Sequence, residues 1–427
     1  MEKATPSHHP ASAIRFFVSI FGLALALTAC GGGGSEGPAG DPPLGPSDPP
    51  SGPVLPPVFT GLQIYAAAVA VFGQGTFARE APNSGADTPD ASSLFDPAGV
   101  AVADDGRVFI ADAGNVRLLV LPAVPESSLA EAAFVLGQPD VFSGGITAEP
   151  DGYGSPQSVS VGAGKVAVAD SAAHRVVIYE SIPTGGSAKP TVVLGQPDFG
   201  PRDQGCDKFS LNSPSAVLIT PDGRLIVADT GNSRVLVWNS IPTAEESGKG
   251  ADVVLGQLDF HHCGANAGGG ATPTRNTMRL PRGVWSDGMR LAVADMVNNR
   301  VLLWDDIRNL QSQQSPDRVL GQPDFDTAAL LGPDRHTLAF PRAVASNGTH
   351  LAVSDGNHRV LLWHEWPSQD GQPASTVIGQ RDFLQGGDDD SGESAQTLHQ
   401  PQGIALHQNK LLVIDEGNNR LLIYKSE

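Results

Sequence analysis

Six copies of one short pattern recur along this chain at a nearly constant spacing. That recurrence limits the folds open to it more than any other feature. Each copy ends an apolar run with Asp, turns, and opens a second apolar run with Arg. The copies run from Asp112 to Arg117, Asp170 to Arg175, Asp229 to Arg234, Asp295 to Arg300, Asp355 to Arg359 and Asp415 to Arg420. Successive Asp residues lie 58, 59, 66, 60 and 60 residues apart. A fixed period over six units means an array of like supersecondary modules, each burying its apolar surface against the next. It overrides the two or three ordinary domains that 427 residues would otherwise allow.

The third copy shows what one module is. Residues 213–219 read as a first strand, and Pro221, Asp222 and Gly223 as a turn. Residues 224–228 form a second strand ending at Asp229. Gly231 and Asn232 make a hairpin turn, since both tolerate positive φ. Residues 234–238 are a third strand, and residues 252–255 a fourth, stopped by Gly256 and Gln257. The strands are nearly continuous apolar runs, as expected of strands buried on both faces. Six such units close into a ring. The expected fold class is all-β: a six-bladed β-propeller of four-stranded antiparallel blades. The second copy lacks Gly and Asn and the fifth is one residue short, so those two hairpins should differ in turn type.

The ends of the chain bear on closure. Gly-Gln pairs end the fourth strand at Gly137, Gly195, Gly256, Gly321 and Gly379, and a sixth pair, Gly73 and Gln74, precedes the first Asp copy. The last copy has no fourth strand, because the sequence ends at Glu427. Residues 67–72 are therefore expected to supply the outer strand of the blade formed by residues 401–425. An N-terminal outer strand would close the ring and leave neither end unpaired.

Asp-x-Gly-Asn-x-Arg-Val, with Pro-x-Gly-Val-Ala before it, resembles the NHL repeat, and Asn357, His358 and Arg359 are especially close to it. Leu-Gly-Gln-Pro-Asp-Phe at 194–199 and 320–325 resembles a subgroup of secreted bacterial NHL-like propellers. The resemblance covers about residues 58–427 and implies fold rather than activity. Asp112, Asp170, Asp229, Asp295, Asp355 and Asp415 read as structural turn residues. Each carboxylate would accept from turn amides and pair with the Arg across its hairpin. Six copies of one catalytic residue would be hard to rationalise.

The N-terminus reads differently. Lys3 and Arg15 precede an apolar run over residues 16–27, too short to span a bilayer, and the run ends in Leu27, Thr28, Ala29 and Cys30. This resembles the lipobox of bacterial lipoproteins. It implies a signal peptide over 1–29, cleavage before Cys30, and lipidation of Cys30 for stable anchoring. Gly31 in place of Asp implies, by analogy with enteric sorting, the outer membrane. Residues 30–57 are Gly, Pro, Ser and Asp with little to bury. They read as a disordered tether with a reach of ~30 Å. The expected location is the bacterial cell envelope. A formal net charge of −19 argues against a nucleic-acid groove and against electrostatic docking on anionic lipid.

Strand order puts the turn between strands two and three on the same face as the connection to the next blade. Those connections are long: 74–96, 138–155, 196–213, 257–280, 322–340 and 380–400. Loops of that length usually carry function or remain unstructured, so this face is the expected binding surface. The residue after the Pro of each first strand should point to the channel mouth: Ala98, Gln157, Ser215, Arg282, Arg342 and Gln402. Arg282 and Arg342, beside Arg279 and His336, would clamp a carboxylate or phosphate. The alternative is that each pairs with loop carboxylates such as Asp334 or Asp287.

Some six-bladed relatives are metal-dependent lyases with zinc on His near the channel, and lactonase-type propellers hold calcium there on Glu, Asn and Asp. None of the six mouth positions is His, Glu or Asp. No cofactor is expected. Zinc at His261, His262 and Cys263, or calcium at Asp388, Asp389 and Asp390, are the alternatives. Cys206 and Cys263 lie in corresponding loops and would either pair in an oxidising compartment or stay as thiols. The leading reading is a monomeric binding or scaffold propeller for a protein, peptide or glycan, with no catalytic residue assigned. A channel-mouth lyase or lactonase and a structural envelope protein are its rivals.

Overall fold

The computed structural model describes residues 59–147, 149, 152–388 and 392–426. The expected signal peptide, Cys30 and tether lie outside the described residues, as do Asp389 and Asp390. Among the described residues stand six four-stranded antiparallel sheets arranged as a closed six-bladed propeller.

The first strand, β1 (Ala70–Phe72), belongs to the last blade. Blade one is β2 (Pro97–Val102), β3 (Val108–Asp112), β4 (Arg117–Leu121) and β5 (Phe134–Leu136). Blade two is β6 (Pro156–Gly162), β7 (Lys165–Asp170), β8 (Arg175–Tyr179) and β9 (Val192–Leu194). Blade three is β10 (Ala216–Ile219), β11 (Leu225–Asp229), β12 (Arg234–Trp238) and β13 (Val253–Leu255). Blade four is β14 (Pro281–Ser286), β15 (Leu291–Asp295), β16 (Arg300–Trp304) and β17 (Arg318–Leu320). Blade five is β18 (Ala343–Ser346), β19 (Leu351–Asp355), β20 (Arg359–Trp363) and β21 (Thr376–Ile378). Blade six is β22 (Pro401–His407), β23 (Lys410–Asp415) and β24 (Arg420–Lys425), completed by β1.

Burial explains the continuous apolar runs. Successive residues of a strand point to opposite faces, and each face packs on a different neighbour. In blade three, Ala216, Leu218, Ile226 and Ala228 share a cluster with Val284, Leu291, Val293 and Leu302 of blade four. The alternate residues Val217, Ile219, Leu225 and Val227 share another with Ala167, Ala169, Val176 and Ile178 of blade two. The same two-sided packing continues around the ring, and β2 meets β22 where it closes. The third strands end in Trp238, Trp304 and Trp363, whose indole N–H groups donate to the carbonyls of Lys249, Gln314 and Gln372 at 2.9, 3.0 and 2.9 Å. Each Trp thus fills an interface and ties down the connection to its own fourth strand.

The closing strand is shorter than residues 67–72. Ala70, Val71 and Phe72 pair with Ile423, Leu422 and Leu421, and the Val69 N–H extends the ladder to the Ile423 carbonyl at 2.7 Å. Deleting residues 58–74 bares the edge of β24 and removes Val71 and Phe72 from the core. Each buried side chain of that kind contributes ~1.5–3 kcal/mol. The deletion should therefore lower unfolding stability by about 4 kcal/mol or more, read from urea titration. An unchanged midpoint would contradict closure by β1.

The turns between second and third strands depart from expectation in an instructive way. Positive φ falls on the residue just before Arg: Val116, His174, Ser233, Asn299, His358 and Asn419. Gly231 and Asn232 do other work. A Cβ on Gly231 would lie 2.7 Å from the Asn212 carbonyl oxygen, so its side chain is excluded by the arriving connection. Asn232 donates to Asp229 at 2.8 Å. The second copy, without Gly or Asn, keeps the same 3-10 turn as copies three, four and six. The close approach there is relieved from the other side, where Gly154 faces the backbone of Ala172 and Ala173. The one-residue-shorter fifth turn has no 3-10 segment, but neither has the full-length first turn.

Candidate functional site

Each Asp–Arg pair is fully buried, with Nε to carboxylate distances of 2.7 Å at Asp112, Asp229 and Asp415, 2.8 Å at Asp295 and 3.1 Å at Asp170. Asp355 meets Arg359 through Nη2 at 3.2 Å. Burial pushes the carboxyls of Asp112, Asp229, Asp295 and Asp415 up, against the pull of the paired Arg and of amide donors. Those donors include backbone N–H groups of the arriving connection: Phe95, Asn212, Arg279 and His399 donate to their Asp at 2.7, 2.7, 2.7 and 2.6 Å.

The Arg side of the pair organises the long-loop face. In blade three, Arg234 Nη2 donates to the Asp207 and Ser210 carbonyls of the arriving connection, at 2.7 and 3.1 Å. Its Nη1 donates to the Phe260 carbonyl of the departing connection at 2.6 Å. The departing contact lies four residues after the Gly of Gly-Gln in every blade: Phe77, Val141, Phe199, Phe260, Phe325 and Phe383. The Gln that follows the Gly supplies a second hold. Its Nε2 donates to the carbonyl of the positive-φ turn residue and to a carbonyl seven residues further on, as Gln257 does to Ser233 and Gly264 at 3.0 and 2.8 Å. Reading Gly-Gln only as a strand stop missed this role; the invariant Gln at every copy was its signal. Asp229→Asn would leave Arg234 as an uncompensated buried charge, a change that costs about 3–5 kcal/mol. Urea unfolding of the variant should show a loss of that size.

Neighbouring blades are latched on this face by the positive-φ residues. Their side chains accept the backbone N–H that precedes the Pro of the next blade: Ser213 to His174 Nδ1 at 2.9 Å, Phe340 to Asn299 Oδ1 at 2.9 Å, Gln400 to His358 Nδ1 at 3.1 Å, and Asp96 to Asn419 Oδ1 at 2.7 Å. The His174 ring must be neutral at Nδ1 to accept. Burial lowers its pKa from the ordinary 6.5, against Asp229, Asp170 and Asp203, which raise it. A depressed His favours the folded state above the unfolded-state pKa, and that stability is lost as pH falls below about 6.5. His350 and His407, lowered chiefly by burial, add in the same direction. The urea midpoint should therefore drop between pH 7.5 and 5. His174→Asn, which copies the latch of blades four and six, should keep the neutral-pH midpoint and lose part of the drop.

The six positions expected at the channel mouth each follow the Pro that opens an inner strand or lies just before it. Ala98, Gln157, Ser215, Arg282 and Gln402 are buried there, and Arg342 is half-buried. Gln157 Nε2 donates to Ser155 Oγ at 2.9 Å. The Ser215 hydroxyl bonds Thr230 Oγ1 and also donates to the Arg282 carbonyl at 3.3 Å. A Cβ on Gly283 would stand 2.8 Å from the Arg342 carbonyl oxygen, which shows how closely the inner strands of blades four and five approach.

Neither carboxylate expected to neutralise the arginines does so. Asp287 pairs with Arg290 at 2.6 Å, and Asp334 Oδ1 accepts the His336 N–H at 2.9 Å. The negative group that faces both arginines is Glu416, which raises the pKa of each against the lowering effect of burial. Gln402 holds it, donating from Nε2 to Glu416 Oε2 at 2.5 Å. Glu416 is the residue after the sixth Asp, and nothing in the sequence pattern singled it out. The position after Asp varies between blades, and in blade three Thr230 meets Ser215 from the same place. Arg279 enters by its backbone, through the Asp295 contact and through its carbonyl, which accepts from Val297 at 3.2 Å. His336 does not join the arginines; it is exposed, with Nδ1 3.1 Å from the Gly371 carbonyl oxygen.

Cys206 and Cys263 are joined by a disulfide with a Cα–Cα distance of 6.3 Å, linking the connections on either side of blade three. Cys263 is thereby removed from any site with His261 and His262, and His262 Nδ1 instead lies 2.8 Å from Asp259 Oδ1. Among the described residues no group of three or more His, Cys, Asp or Glu is arranged to hold a metal ion.

Residues 96–121 and 211–238 match the family model described as the NHL repeat. They are the three inner strands of blades one and three. A comparison with curated proteins finds no match. Among solved structures, the WD40 β-propeller domain of Doa1 aligns with a TM-score of 0.46 at 10% identity, covering 86% of this chain and 98% of that one. Selenomethionine-substituted virginiamycin B lyase from Staphylococcus aureus aligns with a TM-score of 0.40 at 13% identity, covering 81% of this chain and 98% of that one. The chain is thus a six-bladed propeller in which two blades match the NHL repeat.

Proposed function

We propose that this chain is a lipid-anchored, extracytoplasmic propeller that binds a protein or peptide partner through its long-loop face. The observation that carries the reading is the distribution of exposed apolar side chains. Twelve large hydrophobic residues are exposed among the described residues, and eight of them lie on the connections of that face. They include Phe142, Ile146, Leu258, Leu330 and Leu384. A face on which most of the exposed apolar side chains lie is a candidate interaction surface. Arg and Gln clamps fix both ends of each connection, so less conformational entropy is lost on binding. Five of the eight are aliphatic and three are Phe, a mixture suited to packing against a peptide or protein surface. The lipobox-like Cys30 supports the anchor, and the Cys206–Cys263 disulfide supports an oxidising compartment.

The test is cross-linked capture from envelope fractions with the full, lipidated chain. Phe142→Ser with Leu384→Ser should reduce capture of the partner about tenfold or more, a loss typical of removing central anchors. Met289→Ser, on the opposite face in the turn between β14 and β15, should leave capture unchanged. Equal capture by all three proteins would refute binding through the long-loop face.

A further inference from the structure

We propose that one sector of the long-loop face docks a basic amphipathic segment of the partner, with Lys or Arg side chains beside apolar ones. This rests on the long-loop face being the binding face and names the chemistry of what binds there. The sector is made by three connections that follow one another around the ring: 380–400, 74–96 and 138–155. Two of the buried arginines join them into one surface. Arg420 donates to the carbonyls of Ser394 and Thr397 in the first connection and of Phe77 in the second. Arg117 donates to the carbonyls of Asp90 and Ser93 in the second and of Val141 in the third.

Apolar exposure and negative charge both peak in this sector. Ile146, Leu384 and Phe142 are 69, 68 and 67% exposed, whereas no other large apolar residue of the face exceeds 60%. The described residues of the three connections include nine Asp or Glu against Arg79 and Arg381, a formal net charge of −7. The remaining connections, 196–213, 257–280 and 322–340, hold seven Asp against five Lys or Arg, a net charge of −2.

Charge and apolar surface are also coupled residue by residue. The Phe142 N–H donates to Asp140 Oδ1 at 2.9 Å, and the Leu384 N–H to Asp382 Oδ1 at 2.8 Å. Both Asp stand three residues after the Gly of Gly-Gln, so one kind of turn sets a carboxylate beside a large apolar group at each end of the sector. In the other three connections the residue in the apolar place is Gly200, His261 or Asp326.

These carboxylates are uncommitted. Asp140, Asp382, Glu80 and Asp87 are exposed and pair with no Lys or Arg among the described residues. On the opposite face the chain neutralises its acids locally: Asp105, Asp222, Asp287 and Asp306 each pair with an Arg two or three residues on. A segment bearing Lys or Arg would meet complementary charge here, and its aliphatic stems would pack on the exposed apolar groups. The same carboxylates repel a nucleic acid or an anionic lipid surface.

Fluorescence anisotropy of a short acetylated peptide of Leu and Lys, titrated with the full chain, tests the proposal. Binding should saturate, and it should weaken as added salt screens the charges. Asp140→Asn with Asp382→Asn keeps the acceptor of each turn and removes its charge. That pair should weaken binding about fivefold, the worth of two exposed ion pairs. Asp198→Asn with Asp324→Asn makes the same change at equivalent turns outside the sector and should leave the affinity unchanged. Phe142→Ser with Leu384→Ser should weaken binding about tenfold. No saturable binding, equal losses in the two Asp pairs, or equal binding of a peptide of Leu and Glu would each overturn the basic partner. If envelope capture depends on Phe142 and Leu384 while the Leu and Lys peptide fails to bind, this proposal falls and the long-loop reading stands.

Discussion

The buried Asp–Arg pair is the interaction on which the rest of this propeller depends. As an isolated electrostatic contact it would contribute little, because the cost of stripping water from both charges nearly offsets their attraction. Its value lies in what else the two groups hold. The planar guanidinium presents five donors in a fixed fork. In Arg234 one bond goes to Asp229 and three more reach carbonyls of the two connections that flank the blade. Repeated at each blade, the pair joins every connection to two blades. The start of connection 74–96 hangs from Arg420 and its end from Arg117. The ring is therefore closed twice, once through β1 and once through loops.

This arrangement separates what must stay constant from what can vary. The ends of each connection are pinned by Asp, Arg and Gln, and the middle is not. Length and side chains there can change without disturbing the strands. The 257–280 connection tolerates extra residues, which account for the one wide Asp spacing of 66. The Cys206–Cys263 bridge adds a covalent tie between two of these middles. Pre-ordered loops on a rigid scaffold are a common way to present a binding surface.

Much of this was legible in the sequence, and the boundary of legibility has a physical meaning. Spacing of the Asp residues and two-faced apolar strands were enough for the ring, because period and burial pattern are local properties. The missing last strand pointed to β1 through simple counting. What local reading mistook was the work of polar turn residues. Gly231 was assigned a backbone conformation that belongs to Ser233, because the contact excluding its side chain comes from Asn212, distant in sequence. Glu416 escaped notice for the same reason: it acts on Arg342 across one blade boundary and on Arg282 across two. Asp334 and Asp287 were nearer in sequence and read as the natural partners, yet each is engaged locally. Proximity along the chain is a poor guide at a site assembled from several modules.

The same contrast locates function within a repetitive molecule. Positions that recur in all six blades are explained by the demands of the ring, so they carry no information about a ligand. Positions that differ while occupying equivalent places carry what the ring does not require. At the residue after the strand-opening Pro, the fold accepts Ala98 in blade one and Ser215 in blade three, both small and neutral. Blades four and five place the long cations Arg282 and Arg342 there instead. Burial lowers the pKa of both, and Glu416 opposes that effect at each. Differences of this kind, set at equivalent places on a common frame, are where one blade can be told from the next.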